Sequence, residues 1–149
     1  MEATLSQVGS APRAASTATI TSRARWAGRI LSGIPTLALA FDAGGKFANI
    51  EPVREAFVHL GLPTSTASVI AIIELVCLAL YLVPRTAVLG AVLLTGFLGG
   101  AVAIHLRIGD PLATHTLFPI YMGIIVWLGL YLRDVRVRAL GKTLLGGPQ

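Results

Sequence analysis

The chain has 149 residues, 54% of them hydrophobic and 13% charged, with a net charge of +5. Its mean hydropathy of +0.76 excludes an ordinary water-soluble domain. Nucleic acid is a poor explanation of the positive charge, because the basic residues lie at the ends of apolar runs and form no basic stripe. The single cysteine, Cys77, allows no disulfide within the chain, and the absence of a C-x-x-C pair argues against a thiol relay or a c-type haem.

Residues 1–22 form a tail rich in Ser, Thr and Ala that cannot build a core alone. It is expected to order only against a partner. Ala38-Leu39-Ala40 superficially resembles a leader cleavage site, but no cleaved leader is expected.

The pattern predicts an all-α fold, a four-transmembrane-helix bundle with a membrane domain over 23–142 and a short tail over 143–149. The first crossing runs about 26–47. It is the least apolar, with Arg29 near its start, Pro35 inside it, and Asp42 and Lys46 near its end. Pro35 predicts a kink, and Gly44-Gly45 a loosened last turn.

Between the first two crossings, Ile50, Val53, Phe57 and Leu60 recur at helical spacing among charged residues. This predicts a short amphipathic helix on the membrane surface. Gly61-Leu62-Pro63 ends it. The second crossing is 65–83 and the third 87–106, joined by a tight turn at Pro84-Arg85-Thr86. The fourth is about 112–132, with Pro119 as a kink or as its true start, and 133–142 as a basic continuation.

One set of ends carries Arg13, Arg23, Arg25, Arg29, Arg85, Arg133, Arg136, Arg138 and Lys142, against Lys46, Arg54 and Arg107 on the other. The bias places both termini in the cytoplasm of a bacterial-type inner membrane. Trp26, Tyr81, Trp127 and Tyr131 fit an aromatic belt on that side.

Two helices carry small residues every four positions. In the first these are Gly28, Ser32, Thr36, Ala40 and Gly44; in the third, Ala87, Ala91, Thr95, Gly99 and Ala103, with Gly96 and Gly100 beside them. Such ribbons let backbones approach closely. Asp42 lies about 200° round from Ala40, and His105 about 200° round from Ala103. Each helix therefore has two special faces, one for the bundle and one for a further neighbour.

The informative residue is Glu74. A carboxylate at mid-bilayer costs roughly 2.5 to 3.5 kcal/mol on insertion scales, so it must be paired, protonated or turned inward. Ala67, Ala71, Glu74, Cys77 and Tyr81 share one face, which is predicted to look into the bundle. Asp42, Lys46, His105, Arg107 and His115 all belong to the same outer half. They predict a polar pocket open to the non-cytoplasmic side, or a buried network. Asp42 and Lys46 can pair across one turn or merely snorkel. His105 can bond a loop carbonyl, His115 can sit at the interface, and Glu74 can pair with His105 or Lys46. No metal is expected, since no H-x-x-x-H or E-x-x-H pair lies on one helix.

With these residues in hand, the chain resembles the DoxX-like family of small membrane proteins over about 26–132. The resemblance rests on Leu31-Ser32-Gly33, Gly45-Lys46-Phe47, Leu60-Gly61-Leu62-Pro63, Ile73-Glu74-Leu75, Val83-Pro84-Arg85 and the run His105 to Asp110. It implies a four-helix bundle in which Lys46, Glu74 and His105 occupy recurrent polar positions. It also implies a link to quinol oxidase, sulfur redox or oxidative-stress assemblies, as a small subunit. Asp42, the Ala43-Gly44-Gly45 interruption and the tail lie outside that pattern.

Two functions follow as expectations. The first is an accessory or structural subunit of an electron-transfer complex, surrounded by lipid and other membrane subunits. The second is a site for a quinone or other lipid-soluble molecule at Glu74, His105, Lys46, Asp42 and His115, with no covalently bound cofactor. A proton-coupled transporter is disfavoured, because four helices show no inverted repeat.

Overall fold

The computed structural model describes residues 20–144 and residue 146. The expectations for the tail fall almost wholly outside the described residues. Within them the fold is all-α. The helices are α1 (Ser22–Ala48), α2 (Glu51–His59), α3 (Ala67–Leu82), α4 (Ala87–Ile108), α5 (Phe118–Arg133) and α6 (Val135–Leu144). A 3-10 turn, Thr64–Thr66, leads into α3, and a π-helical turn, Leu112–Thr116, precedes α5.

The four long helices close a ring: α1 packs on α3, α3 on α4, α4 on α5, and α5 back on α1. Neighbours run antiparallel. At one end Ser32 meets Tyr81, and Arg133 reaches the Tyr81 carbonyl; at the other Lys46 meets Glu74. The core between them holds Leu39, Cys77, Leu78, Tyr81, Ala91, Leu94, Val126 and Leu130.

Among the described residues, three spans are long and apolar enough to cross a membrane: Thr64–Leu82, Ala87–Ile108 and Leu112–Arg133. The α1 helix is not among them. Pro35, Asp42, Lys46 and its glycines lower its hydropathy, although 27 residues are ample in length. Its outward side is nonetheless apolar: Ile30, Ile34, Leu37 and Phe41 are exposed.

Several boundaries differ from expectation. The α1 helix runs unbroken through Pro35 and Gly44-Gly45. The Thr36 hydroxyl donates to the Ser32 carbonyl at 2.7 Å, next to the Leu31 carbonyl that Pro35 leaves without its amide. The helix ends at Asn49, which takes the left-handed conformation (φ 48°) that asparagine tolerates. Pro119 lies in the first turn of α5, where a missing N–H is harmless, so it marks the true start. Residues 133–142 are no simple continuation. Asp134 is extended, accepts from the Arg136 amide at 2.9 Å, and caps a separate helix, α6.

The small-residue ribbons hold only in part. Gly28 and Ser32 are buried, but Ala40 and Gly44 are exposed; Ala87 and Ala91 are buried, but Thr95, Gly99 and Ala103 are exposed. The reason is geometric. A strict four-residue repeat drifts by about 40° per step around a helix of 3.6 residues per turn. The buried line of α1 is instead Gly28, Ser32, Pro35, Leu39, Ala43 and Lys46.

Close approach occurs where the small residues face a neighbour. A Cβ at Gly28 would lie 2.9 Å from the Arg133 amide nitrogen and the Gly129 carbonyl oxygen. A Cβ at Gly90 would overlap the Tyr81 backbone. By contrast, Gly96, Gly99 and Gly100 face open space.

Candidate functional site

The inward face of α3 is as the spacing predicts. Ala67, Ala71, Glu74, Cys77 and Tyr81 are all buried, and Glu74 has no exposed surface. The partner of Glu74 is Lys46. The Lys46 Nζ donates to Glu74 Oε2 at 2.7 Å across the α1–α3 interface. It also pairs with Asp42 one turn earlier on α1. Asp42 is half exposed, Lys46 is 10% exposed at its side chain, and Glu74 is sealed, so the three groups step from the surface to the interior. The Lys46 ammonium further lies 5.8 Å from the centre of the Phe97 ring, within cation–π range.

The pairing has a plain origin. An isolated charge in hydrocarbon is expensive, and an ammonium against a carboxylate at hydrogen-bond distance is the compensation that helix geometry offers here. It is incomplete. Glu74 Oε1 is buried and has no hydrogen-bond partner.

A pocket of about 260 Å³ opens on this cluster. It is lined by Lys46, Asn49, Thr64, Ser65, Ala67 and Ser68. Its walls are therefore the end of α1, the Asn49 cap and the start of the α3 span. Of Glu74, His105, Lys46, Asp42 and His115, it is Lys46 that lines this pocket.

His105 and His115 do not join Glu74 in any hydrogen bond. They belong to a second group built on Asp110, in the loop between α4 and α5. His105 Nδ1 lies 2.5 Å from Asp110 Oδ2, and His59 Nε2 lies 2.8 Å from Asp110 Oδ1. The hydrogen bond from His105, then that from His59, holds the Asp110 carboxyl below its ordinary value. The His115 ring stands 6.1 Å from that of His105, and its Nδ1 meets the Thr114 hydroxyl at 2.8 Å. Among the described residues, no group of three His, Cys, Asp or Glu side chains is placed to hold a metal ion. Arg107 donates to the Leu60 carbonyl, a second tie between the end of α4 and the end of α2.

Three residues matter more than their sequence context suggests. Asp110 reads as a turn residue, and only the fold brings His59 and His105 to it. Tyr81 reads as part of an interfacial belt as well as of the inward face; it is wholly buried. Its hydroxyl lies 2.8 Å from Ser32 Oγ and 3.0 Å from the Val126 carbonyl oxygen, joining α1, α3 and α5. Arg133 reads as a boundary charge. Its guanidinium stands 4.7 Å from the Tyr81 ring centre and donates to the Tyr81 carbonyl at 2.9 Å. The belt pattern could not reveal this, since interfacial and buried aromatics share the same positions near helix ends.

An apolar groove of about 450 Å³ runs between α4 and α5, lined by Leu98, Gly99, Val102, Pro119, Gly123 and Trp127 among others. The Trp127 indole N–H donates to Thr95 Oγ1 at 2.9 Å, which satisfies the ring's only polar group.

The comparisons with known proteins bear on the whole bundle. No curated protein and no solved structure matches the chain. A family model described as the DoxX-like family matches residues 30–129, a stretch that holds Asp42, Lys46, Glu74, His105, Asp110 and His115. With three spans apolar enough to cross a membrane and this match over most of its length, the chain belongs to the DoxX-like family of membrane proteins.

Proposed function

We propose that the protein is a small accessory subunit of a larger integral-membrane assembly, of the electron-transfer kind that the family resemblance implies. The observation behind this reading is the outward face of α4. Gly96, Gly99 and Gly100 have no neighbour within reach of a Cβ, and the groove between α4 and α5 adjoins them. Small residues on a lipid-facing helix suit close approach by another helix. In the same reading α1 is a fourth crossing, supported by its apolar outward stripe and by the burial of Lys46 against Glu74. Both termini then face the cytoplasm of a bacterial-type inner membrane, as the arginine bias favours. Purification from native membranes in mild detergent tests this. A specific membrane partner should co-purify with the wild type and be lost with Gly99→Leu, while the variant keeps its helical content. A stable monomer without partner refutes it.

A second reading is favoured by the unpartnered Glu74 Oε1 and the polar pocket at Lys46. Here the cluster holds the head of a quinone or another lipid-soluble molecule, with Glu74 and Lys46 as proton-bearing groups. Glu74→Gln should abolish binding of a quinone while the bundle still folds. Unchanged binding removes this reading.

A further inference from the structure

Charge divides the bundle into two unlike ends. The end where α1 and α4 begin and α3 and α5 stop has a single carboxylate among its described residues, Asp134. The other end has Asp42, Glu51, Glu55 and Asp110. Three arginines at the first end serve the chain itself. Arg133 donates to the Tyr81 carbonyl, Arg136 to the Pro84 carbonyl and to Asp134, and Arg138 to the Tyr131 carbonyl. They satisfy oxygens that α3 and α5 leave open where they stop. Other cations there have no such use. Arg23 and Arg25 stand in the first turn of α1, and Arg85 just before α4, where a helix dipole favours negative charge. Arg23, Arg25, Arg85 and Lys142 are exposed, and among the described residues none of them forms an ion pair.

Height adds a second observation. Membrane-long spans end at Leu82 and Arg133 and one begins at Ala87, so Arg85 and the start of α6 share one membrane boundary. Arg136 ties them together through Pro84. From there α6 is amphipathic. Val137, Leu140 and Leu144 follow at spacings of three and four, and Arg138 and Lys142 lie about 150° round from that line. Val137 is buried against the bundle, but Leu140 is 54% and Leu144 75% exposed. The apolar line thus runs on past the bundle, with cations on its far side. A short amphipathic helix of this pattern lies in the head-group layer, its leucines toward the acyl chains and its cations toward phosphates. Insertion bias alone explains the cations but not the leucines. An acidic protein partner would match the cations and leave the leucines in water.

We propose that α6 and the arginine-rich end form a docking surface for the head groups of anionic phospholipids. Arg85 and Lys142 contact phosphate, and Leu140 and Leu144 embed below them. This surface is separate from the pocket at Lys46 and from the outward face of α4.

Two measurements on the full chain test it. Native mass spectrometry in detergent reads lipid binding. Phosphatidylglycerol should bind at least about tenfold more tightly than phosphatidylcholine, since each basic side chain near an anionic surface contributes about fivefold. Arg85→Gln with Lys142→Gln should cut that preference at least about fivefold, while phosphatidylcholine binding and Tm in phosphatidylcholine nanodiscs stay unchanged. A fluorophore on Leu144→Cys, in a Cys77→Ala background, reads the position of α6 in nanodiscs containing phosphatidylglycerol. Doxyl-labelled lipid should quench it, and aqueous iodide should not. Equal binding of the two lipids overturns the proposal, as does a preference kept in full by the double variant. A label quenched by iodide and not by lipid also overturns it, and assigns the same cations to an acidic protein instead.

Discussion

Lys46→Met tests the central ion pair. The substitution preserves side-chain length but removes the ammonium. Glu74 is then a carboxylate with no exposed surface and no partner, since Lys46 supplies its hydrogen bond at 2.7 Å. Breaking a buried pair from one side costs about 3–5 kcal/mol. At about 1.4 kcal/mol per decade, the unfolding equilibrium should shift about 140- to 3,700-fold. Glu74→Gln should cost less, because Lys46 keeps Asp42 and a partly open surface. The double variant Lys46→Met, Glu74→Gln should recover most of the loss, since exchanging a buried pair for neutral groups of similar shape is close to neutral. Asp42→Asn, at a half-exposed position, should cost no more than about 1 kcal/mol. Reversible unfolding in mixed micelles with increasing SDS measures all four and gives the coupling energy. A Lys46→Met variant within about 1 kcal/mol of wild type refutes the reasoning, as does a double variant as unstable as the summed singles.

Other outcomes follow from the same packing. Tyr81→Phe strips one buried hydroxyl from Ser32 Oγ and the Val126 carbonyl, and thermal unfolding in detergent should show a loss of about 1–3 kcal/mol. Gly90→Ala should destabilise by about 1–3 kcal/mol or more, because its Cβ meets the Tyr81 backbone, whereas Gly96→Ala should be neutral or stabilising by up to about 1 kcal/mol. Comparing their Tm values in one detergent checks both. Asp110 contributes through a carboxyl held below its unfolded value of about 3.8 by His105 and His59. That contribution is full above pH 3.8 and fades as pH falls through the lower folded value, so Asp110→Asn should lag wild type at pH 5 and converge with it in strong acid. Denaturant titrations across that range measure the convergence.

Much of this arrangement was legible in the residues alone. The inward stripe of α3 follows from spacings of three and four, and burial of Glu74 follows from the price of charge in hydrocarbon. Lys46 was legible, alongside His105, as a candidate partner, because both lie in the same half of the bundle as Glu74. The division into two polar groups was not. Depth is one coordinate, and residues at equal depth can lie on opposite sides of a ring. His105 and His115 share the outer level with Lys46, but the α4–α5 loop gives His105 to Asp110. The limits of the glycine ribbons were hidden for a related reason: a four-residue repeat matches a helix face for only two or three steps before rotating away.

The charge distribution also bears on how such a chain is assembled. The α1 helix, made before α3, carries Asp42 and Lys46, and the buried carboxylate that Lys46 also contacts belongs to α3. In the four-crossing reading proposed above, Lys46 therefore lacks one of its two carboxylate partners until α3 arrives beside α1. A chain ending before Glu74 should then hold α1 less firmly than the full bundle, and the arrival of α3 should lock it.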